Sequence, residues 1–153
     1  MKTLTSKLPT VVRFLLGGIF FIFGLNGFLH FAPVPPMPGP AGEFLGAMVG
    51  TGYLFSLVKG TEVVAGALLL SGRFVPLAVT LLAPVLVNIV AFHAALAPAG
   101  IGVPLLLLAA ELYLAWSYRE AFAPLLRARV TPTRADADAS PRVGSVEPSG
   151  HAA

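Results

Sequence analysis

The segment Ser56–Leu70, "SLVKGTEVVAGALLL", places an ammonium and a carboxylate three residues apart in a run that is otherwise apolar. At helical spacing Lys59 and Glu62 share one face with Ser56 and Gly66, so the two charges can pair. Such a pair supplies N–H donors from the lysine and a proton-exchanging acid from the glutamate. Other groups of this kind lie along the chain: Asn26 and His30 at i,i+4 spacing, then Asn88 and His93, then Glu111 within "LLLLAAELYLAWS". Amides hydrogen-bond, imidazoles carry protons or ligate metals, and carboxylates exchange protons. The chemistry on offer is hydrogen bonding to, and proton exchange with, a small ligand. No nucleophile triad, phosphate-cradling loop, zinc spacing or dinucleotide fingerprint accompanies them, so no metal site and no nucleic-acid partner are expected.

The elements that must hold these groups are apolar helices. Of 153 residues 56% are hydrophobic and 11% charged, with mean hydropathy +0.84, whereas a soluble domain is about one-quarter charged. A chain of this length forms one small domain, and its lack of cysteine excludes disulfides, iron–sulfur clusters and a thiol relay. A helix crosses a bilayer of about 30 Å with about 20 residues. Four stretches meet that need: about Thr10 to Phe31, within Gly52 to Leu70, about Phe74 to Leu96, and about Ile101 to Phe122. The expected fold is all-α, an integral membrane bundle of four transmembrane helices over residues 1–127. Prolines in "APVPPMPGPAGEFLGAMVG" forbid a regular helix at its start, and "GEFLGAMV" then forms a short interfacial helix or a lead-in turn. Residues 128–153 are polar and Pro-rich, which predicts a disordered cytoplasmic tail.

Lysine and arginine set the expected orientation. Lys2, Lys7 and Arg13 open the first span, Arg73 occupies the second loop, and Arg119, Arg127 and Arg129 follow the fourth. The first and third loops carry none, which places both termini in the cytoplasm. Trp116 and Tyr118 form an interfacial anchor on the same side, and no small-x-small site follows the first apolar run for signal cleavage. Counted from those arginines at 1.5 Å per residue, Asn26 lies at about 20 Å, His30 at about 26 Å, Glu62 at about 17 Å and Lys59 at about 21 Å. Asn88 falls at about 22 Å, His93 at about 30 Å and Glu111 at about 12 Å. Almost every polar group therefore falls between the membrane midplane and its outer face.

Each group also has a plainer reading. Lys59 and Glu62 can be an ion pair that sets helix register, and Asn26 and Asn88 can be interhelical hydrogen-bonding glue. His30 and His93 lie where solvated or loop-bonded histidines are common, and as metal or haem ligands they lack companions. Glu111 has no cation on its own helix at that depth: it is protonated, or it shares Lys59 with Glu62. Gly17, Gly24 and Gly27 form a small-residue ridge for close helix approach. Pro84 frees the Thr80 carbonyl, and a bend there would make room beside Asn88 and His93.

"RFLLGGIFFIFGLNGFLHF", the Pro-rich first loop, "GALLLSGRFVPLA", "LLAPVLVNIVAFH" and "ELYLAWSYREAFAPLL" together resemble the DoxX family of small four-helix bacterial membrane proteins. The resemblance covers about the first 127 residues. It implies the four-helix fold and a link to quinone-dependent membrane oxidoreductase systems. The expectation that follows is a subunit of such a system, with a polar site in the outer half at Lys59, Glu62, Glu111, His30, His93, Asn26 and Asn88. Quinone is the ligand, and a partner oxidoreductase or a homo-oligomer in the lipid bilayer is the partner. Whether the chain is itself an enzyme stays open. The competing expectation is a non-enzymatic membrane scaffold or assembly factor whose buried polar residues are structural. A solute or proton conduit ranks behind both, because the polar groups thin out toward the cytoplasm.

Overall fold

The structure, a computed structural model, describes residues 2–129, with side chains from Lys7 onward; the expected tail beyond residue 129 lies outside the described residues. Every regular element in that range is helical. Helix α1 (Lys2–Leu29) is followed by α2 (Pro40–Gly50), α3 (Leu54–Ser71), α4 (Val75–Leu96), α5 (Gly102–Ser117) and a single turn, α6 (Arg119–Phe122). Lys7–Leu29, Leu54–Ser71 and Val75–Leu96 are long and apolar enough to cross a membrane. The chain is thus a helical membrane protein.

The last apolar helix is shorter than the expected span from Ile101 to Phe122. Helix α5 ends at Ser117 after 16 residues, about 24 Å of rise. Tyr118 leaves the helical region at φ −105°, ψ 19°, and Arg119 Nη1 donates to the Trp116 carbonyl (3.3 Å). A guanidinium on the carbonyls that a helix end leaves free stabilises termination there. The same arginine stacks over the Trp116 ring at 5.3 Å.

α1 packs against α3 and α5, and α4 packs against α3 and α5, so α3 and α5 face each other across a diagonal. The α1–α3 contact is the closest, and its glycines explain why. A Cβ on Gly17 would lie 2.8 Å from Leu69 Cβ, one on Gly24 2.9 Å from the Val63 backbone, and one on Gly66 2.6 Å from the Phe21 backbone nitrogen. The ridge expected on α1 is therefore met by a reciprocal glycine on α3, and the backbones approach where any side chain would intervene. At the α3 terminus, Gly72 (φ 73°) turns the chain, and Arg13 Nη1 donates to the Leu69 and Leu70 carbonyls. Sequence reading used Arg13 only as a topology charge; it is also the cap of a neighbouring helix.

Between these four helices the half of the bundle nearest Arg13 and Arg73 is filled by Leu16, Phe20, Leu69, Leu82 and Leu114. The opposite half is covered by the Pro-rich loop and α2, so of the two expected alternatives the segment forms a short helix and not a turn. Pro40 opens α2, a position where the missing N–H costs no helical bond. α2 packs against α3 and α4, with the Phe44 and Phe92 rings 5.6 Å apart.

Candidate functional site

Under α2 and the Pro-rich loop lies a cavity of about 910 Å³. α1 contributes Phe23, Asn26 and Gly27, His30 joins them from directly after its end, and α3 contributes Phe55, Val58, Lys59 and Glu62. Pro84, Asn88 and His93 come from α4 along with Val85, Ile89 and Phe92. Met37 of the loop and Phe44, Leu45 and Met48 of α2 form the roof. The wall is mostly apolar and aromatic with a few polar groups, the usual make-up of a small-molecule site, and the volume falls in the usual range.

Lys59 Nζ donates to both carboxylate oxygens of Glu62, at 2.8 and 3.0 Å, closing the i,i+3 pair that the spacing predicted. Glu62 is buried, while the lysine head is partly open to the cavity. Gly27 positions it: a Cβ there would lie 2.5 Å from Lys59 Cγ, so the lysine stem lies flat against α1. The Phe55 ring sits 5.9 Å from the ammonium, within cation–π range.

Asn26 is placed differently from the interhelical role expected of it. Its Oδ1 accepts from the Ala32 N–H (2.7 Å) and its Nδ2 donates to the Ala32 carbonyl (3.0 Å). This grip turns the chain out of α1, where His30 adopts φ 50°, and sets the Pro-rich loop over the cavity. Asn88 makes no side-chain hydrogen bond among the described residues; it is exposed on α4 and faces the cavity. His93 Nδ1 lies 2.8 Å from the Ile89 carbonyl. A carbonyl only accepts, so that ring nitrogen carries the hydrogen and Nε2 is left with a lone pair in the neutral ring. Pro84 lines the cavity as expected, while α4 runs on through it.

Glu111 stands apart. It does not line the cavity, and its buried Oε1 has no hydrogen-bond partner. Of the two alternatives expected for Glu111 the sharing of Lys59 is not made: Lys59 pairs with Glu62, and Glu111 lies on α5, diagonally across from α3 and about 9 Å short of Lys59 in counted depth. Among the described residues no three His, Asp or Glu side chains converge to hold a metal ion. The aromatic and methionine wall, including Phe23, Met37, Phe44, Met48 and Phe92, was not picked out from sequence. In a chain so rich in apolar residues, such residues carry no signal of their own. The comparisons made with protein-family models, curated proteins and solved structures found no match to this chain.

Proposed function

We propose that the chain is a four-span protein of the bacterial inner membrane with both termini cytoplasmic, similar to the DoxX family, and a subunit of a quinone-linked oxidoreductase system. Helix α5 is the fourth span; its 16 residues cover about 24 Å, and the exposed Trp116 marks the interface at its end. The observation that carries the functional reading is the cavity itself, which brings a lysine–glutamate pair, an unengaged amide and two imidazoles to one aromatic chamber. A quinone head is a flat ring with two carbonyl acceptors, and it fits an apolar slot with donors at its rim. Lys59 donates to one carbonyl while Glu62 holds its ammonium in place. Asn88 donates to the other, and His93 Nε2 can relay protons to the oxygens of the reduced ring. Reduction of a quinone consumes two electrons and two protons. With no cysteine and no haem or flavin motif in the sequence, a partner oxidoreductase supplies the electrons.

The second reading is a scaffold or assembly factor. It is favoured by the partners these groups already have: Asn26 on Ala32, Lys59 on Glu62, and His93 Nδ1 on Ile89. Affinity purification followed by lipid extraction and mass spectrometry separates the two. Wild type should retain quinone, and the Lys59→Met/Glu62→Gln variant should retain about tenfold less. Equal retention, with no oxidoreductase co-purifying, favours the scaffold.

A further inference from the structure

The cavity does not stay inside the bundle. Phe23 lines it and is 60% exposed, and Pro84 and Asn88 line it from α4 and are exposed too. Counted from Arg13 and Arg73, Phe23 lies at about 15 Å and Pro84 at about 16 Å, near mid-bilayer. Protein surface at that depth meets acyl chains, not water. The arrangement of helices accounts for the opening. α1 and α4 each pack on α3 and α5, and α5, the helix that would close the side opposite α3, gives the cavity no side chain.

From this we infer that the cavity opens sideways into the lipid between α1 and α4, and that its occupant is an amphiphile whose hydrocarbon tail leaves past Phe23 and Pro84. This rests on the quinone reading and adds the tail and the route to it. The charge at the inner end selects the head. Lys59 has three N–H donors, of which at most two go to Glu62, so at least one is free. The pair is neutral overall, so a carbonyl-bearing neutral head gains a hydrogen bond there, whereas an anionic phosphate meets the Glu62 carboxylate without a surplus cation. A tail that stays in lipid also avoids the ordering cost of folding it into the chamber.

The natural sequence has no cysteine, so one position can be labelled cleanly. The full chain carrying Phe23→Cys is reacted with pyrene maleimide and reconstituted into nanodiscs. Leu106→Cys is the labelled control, since Leu106 is 70% exposed on α5 and does not line the cavity. Binding is measured for a polyisoprenoid quinone and for the same head without its tail. The label at Phe23 should weaken the tailed quinone at least about tenfold more than the tail-less head, while the control label changes neither. Unchanged binding of both quinones to the Phe23-labelled protein, or equal loss of both, overturns the lateral route. Competition by phosphatidylglycerol as strong as by the tailed quinone overturns the neutral-head selection. If the unlabelled protein binds neither quinone, the quinone reading fails and this inference with it.

Discussion

Replacing Lys59 by methionine removes the charge and keeps an unbranched stem, so the contact with α1 at Gly27 survives and the electrostatic effect is isolated. Glu62, 3% exposed, then loses the partner that takes both its oxygens. Breaking a buried pair from one side costs about 3–5 kcal/mol, and exchanging both partners for neutral groups of similar size is often close to neutral. Lys59 is 21% exposed, so solvent screening places the loss at the low end, about 3 kcal/mol. Lys59→Met/Glu62→Gln should lie within about 1 kcal/mol of wild type, because no buried charge is left behind. Adding Glu62→Gln to Lys59→Met should therefore recover about 2 kcal/mol. Reversible unfolding in mixed micelles, followed by far-ultraviolet circular dichroism, reads all four proteins of the cycle. A double variant as unstable as Lys59→Met, or less stable, refutes the reasoning.

Gly66→Ala should separate α1 from α3, since its Cβ meets backbone atoms that cannot move aside, with a loss of about 1–3 kcal/mol in the same assay. Gly18→Ala, where nothing lies within 4 Å, should be neutral or stabilising by up to about 1 kcal/mol. Asn26→Ala strips two hydrogen bonds from Ala32; faster amide exchange should appear over residues 30–39, with a stability loss of about 1–3 kcal/mol. Reporter fusions in the 33–40 loop should report the periplasm and fusions after Arg127 the cytoplasm; the reverse result overturns the proposed topology.

What the sequence by itself determined rests on local rules. Apolar length locates the membrane helices, prolines and glycines mark the breaks, and i,i+3 spacing pairs Lys59 with Glu62. The glycine ridge on α1 is legible for the same reason, because spacing along one helix is set by 3.6 residues per turn. Depth counting placed Asn26, His30, Lys59, Glu62, Asn88 and His93 between about 17 and 30 Å from the arginines, and all of them line the cavity. Glu111 shows where that method stops. Depth says how far along its axis a helix carries a residue, and says nothing of which helices are neighbours. The counted depths already set Glu111 about 9 Å from the level of Lys59, and the packing of α5 against α1 and α4 adds that α5 is not a direct neighbour of α3. Packing alone sets Arg13 on the end of α3 and builds the apolar wall of the chamber. Those contacts join residues whose separate patterns carry no mark of each other, so they exist only once the helices are set side by side.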